Sequence, residues 1–166
     1  MMTYQKFLYG AAAIIGVLVV WMLVSPSTKG KAEAYSKRLE KTSNGHQISL
    51  SCGAIGGGDI TQKVFSAYNS GKPVLNMSAE ELFGSFDQTE KGKNIKQAAL
   101  TEPLMAQEYE YSKRDYQKNI EDTLPMAQTI ARAFIKEGKV NAETARYISY
   151  IACVQEVCAK YGLKCD

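Results

Sequence analysis

Apolar residues are concentrated near the start of this chain. Residues 7–24 are eighteen consecutive positions with no charge, no amide and no hydroxyl except the phenol of Tyr9. A helix of that length would measure about 27 Å, enough to cross the hydrocarbon core of a bilayer. A Ser-Pro-Ser sequence at 25–27 would end it. The pattern predicts a short tail at 1–6 and a transmembrane signal-anchor helix at 7–24, which would bind the lipid bilayer.

A cleaved secretory signal is the alternative interpretation of the same apolar run. Such signals usually have a shorter apolar region, followed closely by small residues at the cleavage site. The sequence Ala32-Glu33-Ala34 has the required small residues, but it lies eight residues beyond the run. We therefore favour a retained anchor, and cleavage stays open.

After the apolar run, polar and apolar positions follow the spacing of short helices. We expect a polar stalk or linker at 25–46 and a helical domain at 47–166. Ser78 and Glu81 have the spacing of a capping box. The predicted helices run from Asp59 to Asn69, from Ser78, from Thr101 to Glu121, from a break at Asp122–Pro125 to Gly138, and from Asn141 to Gly162.

One segment alternates polar and apolar residues as a strand does. This segment is Gln47–Cys52, and residues 72–76 are its candidate partner. A lone strand has nothing to pair with, so extended coil is the alternative. The predicted fold is therefore mainly α: an N-terminal transmembrane helix followed by a small disulfide-stabilised helical domain, with room for one short β-hairpin.

The last two predicted helices have the clearest apolar periodicity. Met126, Ile130 and Phe134 recur at helical spacing, and the final helix has two neighbouring apolar stripes opposite a polar side. A stripe that wide is typical of a helix packed against several partners. We expect this pair of helices to form the core of the domain.

The charge balance argues against nucleic-acid binding. Lysine and arginine number 20 against 17 acids, a formal net charge of +3. Nucleic-acid binding needs a clustered basic face, which such an even balance does not indicate. We therefore expect no nucleic-acid partner.

Four cysteines, an even number, suit two disulfides. On a helix, Cys153 and Cys158 lie about 140° apart around the axis, so they cannot readily bond to each other. A reversed tail after the last helix would bring Cys165 to Cys158, which would leave Cys52 for Cys153. Spacing alone disfavours only the connectivity that joins Cys153 to Cys158, and the other two stay open.

Metal and cofactor motifs are not evident. Zinc sites usually bring closely spaced cysteine pairs, whereas the intervals here are four and six intervening residues, and His46 is the single histidine. The glycine-rich run at 52–59 fits neither the dinucleotide nor the nucleotide-phosphate template, so we expect a flexible connector there. We predict no metal and no cofactor.

The two indications of membrane orientation disagree. Only Lys6 precedes the apolar run, whereas five basic residues follow it closely, and this would put the domain in the cytoplasm. The four cysteines favour an oxidising compartment instead. We expect a single-pass protein of a bacterial inner membrane with its domain in the periplasm, and the cytoplasmic orientation stays open.

Residues suited to catalysis do not form a recognisable set. Carboxylates occur as neighbours, at 80–81 and 121–122, which is typical of charge at helix ends. The nucleophile and metalloprotease motifs are absent from the sequence. Carboxylates distant in sequence can still converge in a fold, so the sequence favours a non-enzymatic protein without excluding an enzyme.

The charged helix around residues 107–119 is the predicted partner surface. It carries Tyr109, Tyr111, Arg114 and Tyr116, and tyrosine and arginine are enriched at binding hot spots. The alternative is that these tyrosines lie half-buried along the core. A small-residue pair in the apolar run also permits a homo-oligomer.

These observations lead to one functional hypothesis and two alternatives. We expect a non-enzymatic, membrane-anchored envelope protein whose periplasmic domain binds a protein partner. It would be an accessory subunit of an envelope complex, or an inhibitor, immunity or exclusion factor. The alternatives are a small envelope enzyme, such as a cell-wall hydrolase that uses carboxylates, and a structural stalk.

Overall fold

The computed structural model describes residues 27–165, which form seven α-helices and two 3₁₀ turns, at Val74–Asn76 and Phe86–Gln88. The predicted tail and transmembrane helix, at 1–6 and 7–24, lie outside these residues. None of the helices described is long and apolar enough to span a bilayer. In chain order the helices are α1 (Thr28–Leu39), α2 (Gly45–Gly57), α3 (Asp59–Asn69), α4 (Ala79–Phe83), α5 (Glu90–Ala99), α6 (Pro103–Glu137) and α7 (Ala142–Tyr161).

The predicted mainly helical domain is confirmed, but the predicted β-hairpin is wrong. Between residues 27 and 165 every regular element is helical. Gln47–Cys52 lies inside α2, and the segment at 72–76 ends in the first 3₁₀ turn. The alternation was misleading because Ile48, Cys52 and Ile55 also recur at helical spacing, and all three pack in one apolar cluster.

Gly56 allows α2 and α7 to pack closely. A Cβ atom at Gly56 would lie 2.8 Å from the carbonyl oxygen of Arg146 in α7, so only glycine fits there without a shift of the backbone. The glycine-rich run at 52–59, predicted to be a flexible connector, belongs instead to α2 and the start of α3.

Two apolar clusters form the core. The first lies between α3, α4, α6 and α7 and contains the fully buried Ile130 and Phe134 from the predicted stripe. The second joins α1, α2 and α7 and contains Leu39, Val154 and all four cysteines. The last two helices therefore contribute to the core as their periodicity predicts.

Part of the segment predicted to be a polar stalk packs against the domain. This part is α1, whose Leu39 is fully buried and whose Ala32 is also buried. The Gln155 side-chain amide of α7 donates a hydrogen bond to the Tyr35 hydroxyl of α1, at 2.9 Å. One face of α1 therefore belongs to the second apolar cluster.

Two disulfides connect the four cysteines, in one of the two connectivities that the sequence leaves open. Cys52 in α2 is bonded to Cys153 in α7, and Cys158 is bonded to Cys165 in the tail. The tail can turn back because Gly162, in the left-handed conformation, ends α7. The disulfides therefore hold α2 and the tail to the last helix.

Helix α6 is continuous over 35 residues, so the predicted break at Asp122–Pro125 is wrong. An internal proline removes one backbone hydrogen bond, to the carbonyl of Glu121. Both Pro125 and Glu121 are exposed, so water can pair with that carbonyl. Burial of Ile130 and Phe134 in the turns that follow offsets the remaining cost.

Ser149 offers a test of this core. Its side chain is fully buried in α7, and its hydroxyl has no hydrogen-bond partner among the described residues. A buried hydroxyl without a partner costs about 1–3 kcal/mol. We expect Ser149→Ala to raise the free energy of unfolding by about 1 kcal/mol, measured by urea denaturation.

The matched control is Ser112→Ala in α6. Ser112 is also buried, but its hydroxyl donates to a Glu108 carboxylate oxygen at 3.1 Å. This substitution should lower the free energy of unfolding by about 1 kcal/mol, since it removes a hydrogen bond to a charged group. Equal losses in both variants would contradict our account of Ser149.

Candidate partner-binding surface

The predicted binding residues lie on a helical arm. Helix α5 packs against the first half of α6, and we call α5 together with residues 103–120 of α6 the arm. The second half of α6 lies in the first apolar cluster, so one helix joins the arm to the core. Residues 103–120 alone would extend about 27 Å along the helix axis.

Tyr109 and Tyr116 hold the arm in place. They lie two turns apart on one side of α6, and both rings pack against the buried Phe86, with ring centroids 5.8 and 5.7 Å away. The Tyr116 hydroxyl donates to the carbonyl oxygen of Gly84 at 3.1 Å. Burial is the largest cause that raises the pKa of Tyr116 above its ordinary value. These two tyrosines therefore contact the protein's own chain, as the alternative interpretation expects.

Asp87 accepts hydrogen bonds from two helices of the arm. The Lys96 ammonium of α5 bonds to one carboxylate oxygen, and the Tyr109 hydroxyl of α6 donates to the other. The bond from Lys96 is the main cause that lowers the pKa of Asp87, and the bond from Tyr109 is the second. The same contact raises the pKa of Tyr109. The loop between α4 and α5 is thus fixed to both sides of the arm.

The attachment of the arm should weaken in acid. The folded state lowers the pKa of Asp87 below its ordinary value of 3.8, so the stabilisation is fully present above that value and is lost as the pH falls through the lowered pKa. We expect amide hydrogens of α5 to exchange faster, relative to those of α7, at about pH 3 than at about pH 6.

Two variants separate this contact from general acid unfolding. Asp87→Asn should expose α5 to exchange already at about pH 6, with little further change on acidification. Asp115→Asn changes an exposed acid of the same arm and should behave as the unmodified chain. Unchanged exchange of α5 in Asp87→Asn would show that this contact does not hold the arm.

Tyr111 and Arg114 lie on the other side of α6 and face solvent. Tyr111 is 66% exposed, and Leu104, two turns earlier, is 80% exposed. The spacings 104, 107, 111, 114 and 118 place five residues on one side of the helix. We call these residues the outer stripe: Leu104, Gln107, Tyr111, Arg114 and Lys118.

The end of the arm is also apolar. Leu100, in the turn between α5 and α6, is 80% exposed, and Leu104, the second residue of α6, begins the outer stripe. Single exposed apolar residues are ordinary on a protein surface. Here a leucine in the turn is followed by a leucine and a tyrosine on the exposed side of α6, and apolar residues two turns apart are the pattern of a helix that inserts into a partner.

Comparisons with known proteins identify no relative. No family model matches the chain, no curated protein matches it, and no solved structure matches it. The functional argument therefore depends on the residues and contacts described above.

A polar cleft beside the arm contains two carboxylates. It encloses about 400 Å³, and Glu80 and Asp87 both line it, together with Lys113 and Gln117. A hydrolase that uses two carboxyl groups needs one of them as a general acid, and the pKa of that group must be raised. The pKa of Asp87 is lowered instead, and both of its oxygens already accept hydrogen bonds. Asp87 is therefore unsuited to be the proton donor of such a hydrolase.

Metal-binding residues are not brought together between residues 27 and 165. No group of three or more histidine, cysteine, aspartate or glutamate side chains is placed to hold an ion there. All four cysteine sulfurs are used in disulfides.

The sequence points to the helix that carries the candidate surface, but it does not identify every residue of that surface. Tyr111 and Arg114 are on the exposed side as a binding surface requires, whereas Tyr109 and Tyr116 are not. The apolar members Leu100 and Leu104 were missed. The seven-residue interval between Leu104 and Tyr111 was the available signal, because it places both on one side of a helix.

Proposed function

We propose that this chain is a non-enzymatic, membrane-anchored envelope protein that binds a protein partner through the outer stripe of its arm. The observation that carries this proposal is the exposure of Leu104 and Tyr111 on a helix whose opposite side is fixed by Tyr109 and Tyr116. A binding helix held in this way loses little conformational freedom when it meets a partner.

The chemistry of the outer stripe suggests what the partner presents. Leu104 and Tyr111 would fill an apolar groove, and Arg114 would pair with a carboxylate at its edge. The partner would accordingly be a protein with an apolar groove and an acidic rim. The domain could serve in this way as an accessory subunit or as an inhibitor, immunity or exclusion factor.

The apolar run at 7–24 and the two disulfides support the proposed location. The run has the length and composition of a single-pass anchor, and disulfides persist in oxidising compartments such as the periplasm. We propose a bacterial inner membrane with the domain in the periplasm. Thiol labelling of intact cells tests this: the four cysteines should become alkylatable only after reduction, and four freely reactive thiols on a cytosolic protein would contradict it.

Site-specific photocrosslinking in native membranes tests the partner surface. A photoreactive residue at position 104 or 111 of the full chain should give the same discrete adduct with one other protein. The matched control places it at Glu143, an exposed residue of α7 away from the arm, and should give no such adduct.

A second variant tests whether the outer stripe supplies the affinity. Tyr111→Ala combined with Arg114→Ala should reduce the adduct formed from position 104 at least about tenfold, since hot-spot residues each contribute about 1–2 kcal/mol or more. Absence of any adduct at 104 and 111, or adducts with the chain itself alone, would count against a separate protein partner. The second of these outcomes would indicate a homo-oligomer.

A further inference from the structure

One part of the exposed surface of α1 carries only positive charge. Ala32 and Leu39 mark its buried side, against α7. At 100° per residue, an arc of about 120° on the side away from α7, continued to Lys41 in the turn that follows, contains four basic residues and no acid. These residues, which we call the basic face, are Lys31, Lys37, Arg38 and Lys41, and all four are exposed.

No residue of the basic face forms a salt bridge within the described part of the chain, although the exposed Glu33 lies one turn before Lys37. The salt bridge found among residues 27–165 joins Lys96 of the arm to Asp87 in the loop before it, far along the chain from α1. The two acids of this segment, Glu33 and Glu40, lie toward one border of the basic face, beside Lys29. The basic face is therefore available to a negatively charged partner.

The position of α1 in the chain indicates which partner. Its N-cap, Ser27, follows the apolar run at 7–24 by three residues, which can span at most about 11 Å. If the run is an anchor, α1 begins within about one Debye length of the headgroups, where each basic residue is attracted to an anionic surface.

We propose that the basic face of α1 lies against the bilayer surface and binds anionic phospholipid headgroups. This inference rests on the proposed anchor, and it adds how the domain is oriented: α1 and the side of the domain next to it face the membrane. A nucleic acid is a weaker candidate, because the basic face contains no exposed aromatic residue on which a base could stack.

Fluorescence quenching with the full chain in lipid nanodiscs tests the orientation. Ala34 is exposed on the basic face, so Ala34→Cys can carry a dye, because the native cysteines are bonded to each other. Lipids with a quencher on the headgroup should quench the dye several-fold more in discs that contain phosphatidylglycerol than in discs of phosphatidylcholine alone. High salt should remove the difference.

Two matched variants complete the test. A dye at Glu143→Cys, in α7, should be quenched equally in both kinds of disc. Replacement of the four basic residues by glutamine should lower the additional quenching at position 34 by about tenfold, because each charge contributes to attraction at the surface. Equal quenching at position 34 in both discs would overturn the inference and leave the anchor intact.

Failure of the anchor gives a different result. In that case the chain would not enter the discs and would elute separately, which overturns the proposed anchor. Sedimentation of the same chain with phosphatidylglycerol vesicles then decides the inference alone. Salt-sensitive binding that the glutamine variant loses would support the basic face, and absence of binding would overturn it.

Discussion

Replacement of Cys52 and Cys153 by alanine is expected to lower the free energy of unfolding by about 4 kcal/mol or more. The disulfide closes a loop with a sequence separation of 101 residues. In the chain-entropy model, closing a loop of that size lowers the entropy of the unfolded chain and raises its free energy by about 4.7 kcal/mol. Both cysteines are also buried in the second apolar cluster, so the substitutions remove packed sulfur atoms as well.

The second disulfide supplies the matched control. Cys158 and Cys165 are also buried, but their sequence separation is only 7. Their replacement by alanine should cost about 2.5 kcal/mol in the same model. Urea unfolding followed by circular dichroism should show the difference of about 2 kcal/mol between the two variants. A larger loss for Cys158 and Cys165 would contradict the role of loop length.

Phe134→Ala should lower the free energy of unfolding by about 3–5 kcal/mol. Phe134 is the largest fully buried side chain of the described residues, and it lies in the first apolar cluster. The rings of Phe65 and Tyr68 meet it edge to face, at 6.4 and 5.7 Å between centroids. Alanine would leave a cavity between α3, α6 and α7, and these aromatic contacts would be lost.

The next residue of the chain is the control for this variant. Ile135 is on the same helix but 56% exposed, so Ile135→Ala should change the free energy of unfolding by no more than about 1 kcal/mol. Urea denaturation measures both variants. Alanine favours the helix at both positions, so similar losses at 134 and 135 would contradict burial as the cause of the difference.

The helix ends could be predicted because their chemistry is local. Ser78 and Glu81 form the predicted capping box, and the Asn141 side chain accepts the backbone N–H of Thr144 at the start of α7. Gly162 ends α7 as expected. Each signal involves residues no more than a few positions apart, so the sequence contains all the partners.

Two errors arose where the deciding partner is distant in sequence. Gly56 was interpreted as part of a flexible connector, because the reason for a glycine there is the backbone of Arg146, which approaches it in the fold. Pro125 was interpreted as a break, because the burial that offsets its cost comes from residues such as Ile130. Neither contact can be seen in a local pattern.

The same limitation applies to the candidate surface. Periodicity places Tyr109 and Tyr116 on one side of α6 and Tyr111 on another, but it does not say which side meets the protein. Phe86, in the loop before α5, decides the matter by packing against the first two. Half of the predicted surface therefore proved to hold the arm, and the other half remains the proposed site of binding.

The bond between Cys52 and Cys153 also affects how the chain responds to proteases. All of α3, α4, α5 and α6 lies between these two residues. A single cut anywhere in that stretch, the exposed turn at Leu100 included, would divide the backbone into two pieces that stay covalently joined. Such a nicked molecule would migrate as two fragments on a gel only after a reducing agent is added.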